Sequence, residues 1–170
     1  MKKNSVRPVR SVVDPKKRAI DRALELLALR ARTELELDRA LARNGFPETE
    51  RKAALARLRE LGYMDDRAEA RRRARALIDR GEGPRQVARR LPLQGIAQED
   101  AAAALAEARE GAGDDELAAR ALQRKLRGRK PADAAEKRRL LRALIAKGHR
   151  PSAAAKALGM EWDGDDEIYT

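Results

Sequence analysis

Apolar residues recur along this chain three and four positions apart, not alternately, and glycine or proline interrupts the runs at short intervals. That spacing puts side chains on one face of an α-helix. Ile20, Ala23, Leu24, Leu27 and Ala31 predict a first helix, opened by Asp14-Pro15 as a cap followed by a proline at the first helical position. Leu26 and Leu29 fall off that stripe, so this helix is expected to pack on more than one side. Thr33, with Glu36 three residues on, is a capping box for a second helix with Leu37, Ala40 and Leu41 inward. Asn44-Gly45 is expected to end it in the left-handed conformation. A third helix follows Phe46-Pro47, with Leu55, Leu58 and Leu61 on one face and Gly62 as its stop. Tyr63 is then expected as an aromatic wedge and Asp65 as the cap of the next helix. A sharp hinge between two helical units is the expectation for Leu61–Asp66.

The same grammar then repeats. Ala70, Ala74, Leu77 and Ile78 predict a long helix stopped by Gly81, with Arg71, Arg72 and Arg75 on its far side. Gly83-Pro84 opens a short helix with Val87, Ala88 and Leu91 inward, and Pro92 is expected to end or kink it because proline donates no backbone hydrogen bond. An alanine-rich helix runs from about Gln98 to Glu110, where Ala101, Leu105 and Ala108 share a face. After Gly111-Ala112-Gly113, with Asp114 or Asp115 as cap, come Leu117, Ala118, Ala121, Leu122 and Leu126. The basic loop Arg127-Gly128-Arg129-Lys130-Pro131 precedes a helix from about Ala132 to Lys147, and Pro151 opens a last short helix through Leu158. A helix triplet thus recurs at roughly 45–50 residues, close to helical-repeat periods. The fold class expected is all-α: three tandem three-helix repeats forming an elongated, curved helical array. The divisions are a mobile basic arm over 1–13, repeats over 14–62, 63–111 and 112–159, and an acidic tail over 160–170.

Composition agrees. The 170 residues are 42% apolar and 39% charged but only 2% aromatic, and Ala, Leu, Glu and Arg favour helix over sheet. The formal net charge is +11. Met1–Arg18 sets seven cations against Asp14, while Glu161–Thr170 holds five acids and no cation, so the middle of the chain is itself strongly basic. Such a surface suits an anionic partner such as nucleic acid or a nucleoprotein.

The residues exclude several chemistries. No cysteine means no disulfide and no thiolate metal site, and a lone histidine, His149, leaves no room for a His cluster. Asp65-Asp66 is explained by capping, because adjacent helix residues point about 100° apart. Asp163, Asp165, Asp166 and Glu167 have the wrong spacing for an EF-hand loop, and no glycine-rich phosphate-binding motif occurs. No enzyme, no metal and no cofactor is the expectation. With no long apolar run and no signal peptide, a cytoplasmic protein without membrane attachment is expected. With Phe46, Tyr63, Trp162 and Tyr169 as its aromatics, the chain has few platforms for stacked bases. Contacts to DNA are therefore expected at phosphates, weak in sequence preference and sensitive to salt.

With these residues set out, the chain resembles the RecX family, regulators of the RecA recombinase. The matching blocks are Arg30-Ala31-Arg32-Thr33 with Glu36-Leu37, Leu41 and Gly45, then Leu58, Leu61-Gly62-Tyr63-Met64-Asp65-Asp66 and Ala70. The second unit adds Arg80-Gly81-x-Gly83 with Pro84, Val87, Leu91 and Gly95-Ile96, and Leu144 to Gly148 matches more weakly. The resemblance spans about Ala19 to Leu158, and its most specific part is Gly62 to Asp66. The family usually carries an aromatic where this chain has Glu69 and another where it has His149, departures expected to loosen the packing between units. Pro92 is a third departure.

The resemblance implies a non-enzymatic regulator, expected as a monomer, that binds RecA and its filaments on single-stranded DNA. Such proteins limit filament growth or damp its ATPase and strand exchange, within DNA repair by homologous recombination and the SOS response. The candidates to face RecA or DNA are Arg71, Arg72, Arg75, Arg85, Arg89, Arg90, Arg124, Lys125, Arg127, Arg129 and Lys130. The alternatives are a sequence-tolerant DNA-binding or nucleoid-associated protein with no recombinase partner, and a helical scaffold for some other protein.

Overall fold

The computed structural model describes residues 15–162, and the expectations for the basic arm, the Asp14 cap and the acidic residues from Asp163 onward lie outside them. Among the described residues there are nine helices and no strand, in three successive triplets in which the first and third helices pack together and the second touches both. The helices divide into two compact units, meeting in sequence between Met64 and Asp65.

The first unit comprises α1 (Pro15–Leu29), α2 (Glu34–Arg43) and α3 (Glu48–Glu60). Thr33 caps α2 as expected, its hydroxyl accepting from the Glu36 N–H at 3.3 Å. The unit has its own core, Ala23, Leu26, Leu37, Ala40, Leu41, Leu55 and Leu58, with Ile20, Leu24, Phe46 and Met64 packed around it. Leu26, off the expected stripe, is part of that core, while Leu29 is 78% exposed. The helix ends at Leu29, so Ala31 lies beyond it and is exposed. Asn44 is not left-handed (φ −86); Gly45 alone is (φ +84). The Asn44 amide instead donates to the Ala40 carbonyl at 2.7 Å and satisfies the end of the helix that way. Leu61 and Tyr63 are both exposed, so neither the third leucine of the stripe nor the aromatic wedge is realised. With Leu61 already the C-cap, its side chain has turned off the buried face, and Met64 packs where the wedge was expected.

The second unit holds α4 (Asp66–Asp79), α5 (Pro84–Leu93), α6 (Gln98–Arg109), α7 (Asp114–Leu126), α8 (Ala134–Ala146) and α9 (Pro151–Ala157). Asp65 caps α4, its carboxylate accepting from the Ala68 N–H at 2.9 Å. Helix α5 runs one residue past Pro92 and stops at Leu93, as expected of a proline that cannot supply a bond to the last turn. The cap of α7 is Gly113; Asp114 is already helical, and its carboxylate faces Arg109 (2.8 Å) and Arg150 (2.9 Å).

Two clusters form the core of this unit. Ala70, Ala74, Leu77, Ile78, Val87, Leu91, Ile96 and the small residues of α6 make the first. Leu122, Leu126, Leu140, Leu141, Leu144 and Leu158 make the second, with Met160 and Trp162 packed against it. Main chain joins the two triplets. The Gly83 N–H donates to the Lys147 carbonyl at 2.7 Å, and the Arg85 N–H to the Gly148 carbonyl at 3.3 Å. A Cβ on Gly83 would lie well under 3.0 Å from the Gly148 carbonyl and the His149 nitrogen, and one on Gly148 would lie 2.5 Å from Gln86 backbone. The two turns therefore interlock at Gly83 and Gly148, which have no side chains.

Candidate functional site

Glu69 and His149, where the resemblance leads one to expect aromatics, are both buried. His149 is 1% exposed, and its Nε2 lies 3.1 Å from the Gly81 carbonyl oxygen. A carbonyl only accepts, so Nε2 carries the proton and the ring is the neutral tautomer. Nδ1 has no partner among the described residues. Protonation would bury a second donor with nothing to receive it, and burial accordingly lowers the His149 pKa below its ordinary value. Glu69 is 7% exposed, and its carboxylate takes Arg72 (2.6 Å) and Arg73 (2.5 Å), with Arg73 also donating to Gln94 at 2.7 Å. Burial alone would raise the Glu69 pKa; the two guanidiniums outweigh it and the net direction is down.

The arginines of α4 are matched by acids. Arg75 pairs with Asp79 and with Glu110, Arg72 with Glu69, and Arg71 stands 3.9 Å from Glu107 across a shallow cleft shared with Arg67 and Asp100. Their charge is largely cancelled by α4's own acids and those of α6, which α4 packs along. On α5, Arg90 approaches Glu82 at 3.7 Å, while Arg85 and Arg89 are exposed. In the basic loop, Arg129 is fixed by both Glu136 oxygens (2.7 and 3.0 Å), and Arg127 and Lys130 are exposed. Arg129 and the Ala132 N–H together hold the Glu136 carboxyl down at about 2. The loop thus spends one of its three candidate cations on its own helix.

Arg124 and Lys125 are in a different setting. They line a cleft of about 220 Å³ with Arg80 and Lys147, over a floor of Ala121, Ala143 and Leu144. Arg124 donates to the Ile78 carbonyl at 3.0 Å, and the Lys147 ammonium to the Arg80 carbonyl at 3.1 Å, so both heads are held at the C-terminal end of α4. Cations are favoured at that end of a helix dipole. Among the described residues no carboxylate pairs with any of the four. Arg80 and Lys147 were not among the sequence candidates. Each reads locally as an ordinary cation at a helix end, and only the interlocked turns bring them together.

Among the described residues no group of acids and histidine could hold a metal ion, and no helix is long and apolar enough to cross a membrane. Residues 19–58 match the model of the RecX first three-helix domain. The chain is 32% identical over 150 residues to the regulatory protein RecX of Mycolicibacterium smegmatis, covering 85% of this chain and 79% of that protein. It is 33% identical over 148 residues to the regulatory protein RecX of Stenotrophomonas maltophilia, covering 86% and 88%. A crystal structure of a regulatory protein RecX superposes with a TM-score of 0.66 at 26% identity, covering 86% of this chain and 72% of that one. RecX from Lactobacillus salivarius does so with a TM-score of 0.67 over 86% and 96%, and at 20% identity it speaks for the fold alone. Triplets of short helices, and relatives at 32–33% identity matched over most of their length, place this chain in the RecX family of regulatory proteins.

Proposed function

We propose that this protein binds the RecA recombinase and its filament on single-stranded DNA and limits filament growth, lowering ATPase and strand exchange. It acts by binding, and itself makes and breaks no bond. The observation that carries this reading is the family match over most of the chain. The formal charge of +11 supports it, because a polyanionic filament attracts such a surface through counterion release. The test is RecA ATPase on single-stranded DNA with substoichiometric amounts of the full chain. Turnover should fall well below the RecA-alone rate, and turnover unchanged at equimolar dose refutes the proposal. Binding of purified RecA without DNA separates it from a DNA-binding protein that has no recombinase partner.

A further inference from the structure

We infer that the cleft between the end of α4, α7 and α8 is a phosphate subsite: Arg80, Arg124, Lys125 and Lys147 together hold one backbone phosphate of single-stranded DNA. This rests on the proposed function only in taking DNA as the source of the phosphate.

Charge points there first. The α4 arginines face carboxylates, whereas none of the four cleft cations does among the described residues. Four positive heads around one concavity repel one another, and an oxyanion between them removes that repulsion. Order comes second. Arg124 and Lys147 are anchored through main-chain carbonyls. Those bonds leave donors over, since a guanidinium carries five N–H groups and an ammonium three. Two of the four ligands are thus oriented before anything binds, which reduces the ordering cost of binding. Arg80 and Lys125 are exposed, and among the described residues their side chains bind no other group, so their donors are open to a ligand.

Size and lining come third. About 220 Å³ is the room of roughly seven waters at ~30 Å³ each, enough for a phosphate and part of its sugar. The floor of Ala121, Ala143 and Leu144 lets an anion approach closely, and the lining contains no aromatic ring to stack a base and no carboxylate to repel the ligand. The contact is to backbone and blind to sequence.

The test uses the full chain without recombinase, so its failure is separate from failure of the ATPase result. Anisotropy of a labelled oligo-dT is measured against salt for wild type and for Arg80→Ala/Lys125→Ala, whose side chains bind no other group among the described residues. A Lys52→Ala/Arg57→Ala variant makes the same charge change on the first unit. Loss of one phosphate contact lowers the slope of log K against log salt by about 0.7 for a single strand, with a several-fold loss of affinity. The first-unit variant should keep the wild-type slope. An unchanged slope in the cleft variant, or an equal fall in both variants, overturns the inference. In a second arm, inorganic phosphate is titrated while backbone amide shifts from Ala143 to Lys147 are followed. A phosphate response lost in the cleft variant supports the subsite; the same response with an unaltered DNA slope assigns the cleft to free phosphate and overturns the DNA assignment.

Discussion

Replacing Gly83 with alanine tests how the two triplets of the second unit are held. Gly83 itself is in the ordinary extended region (φ −81), so the backbone accepts alanine without strain. The obstacle is the opposing chain: the new methyl would lie well under 3.0 Å from the Gly148 carbonyl and the His149 nitrogen, which are main chain and cannot swing aside. Overpacking of this kind costs about 1–3 kcal/mol. If the turns part to relieve it, the 2.7 Å bond from Gly83 to Lys147 goes as well, adding about 1 kcal/mol. A loss of about 3 kcal/mol is expected in urea unfolding. Trp162, the single tryptophan and packed against the third-triplet core, reports it by fluorescence. Gly111→Ala is the comparison, since its φ of +78 strains alanine but its Cβ would touch nothing; about 1–2 kcal/mol is expected there. Amide exchange at Gly83 and Arg85 should quicken in the Gly83 variant. Gly83→Ala within about 0.5 kcal/mol of wild type, with exchange unchanged, refutes the interlocked turns.

Burial lowers the folded pKa of His149 below its unfolded value of 6.5, so the unfolded chain binds the proton first and stability is lost as pH falls through and below about 6.5. His149→Phe should flatten urea stability between pH 7 and 5, and an undiminished slope there rules His149 out as its source. Glu69→Ala takes the carboxylate away from half-buried Arg73 and should cost about 2 kcal/mol in thermal unfolding. Glu69→Ala/Arg73→Met should recover part of that loss, and a neutral single variant contradicts the ionic network. The Glu136 carboxyl, held at about 2 against 4.5 when unfolded, stabilises above pH 4.5, and this is lost as pH falls toward 2. A carboxyl-carbon NMR titration should show the low midpoint; a midpoint near 4.5 means the Arg129 pair does not persist in solution.

Several signals that rest on neighbouring residues held, although Asn44 and the cap of α7 did not. Thr33 and Asp65 cap the helices they precede, and the stripes through Leu37, Ala74 and Leu122 are the buried faces. Each depends on residues within one turn of one another. What escaped the sequence depends on packing between distant segments. Arg75 looked like a free cation, but Glu110 lies across the α4–α6 contact and neutralises it. Tyr63 looked like a wedge because aromatics usually bury, yet the turn carries its ring outward and Met64 inward. Lys147 and Arg80 are 67 residues apart, and nothing in either neighbourhood marks them as partners. Gly83 and Gly148 each read as a turn residue beside a helix, whereas their shared property is that two chains touch there.

Because two main-chain bonds, from Gly83 and Arg85, help join the two triplets, that part of the joint does not depend on which side chains surround it. Charges around the phosphate cleft can change by mutation, and new partners be gained or old ones lost, while the frame presenting them keeps its dimensions. A methyl at Gly83 or at Gly148 would upset it.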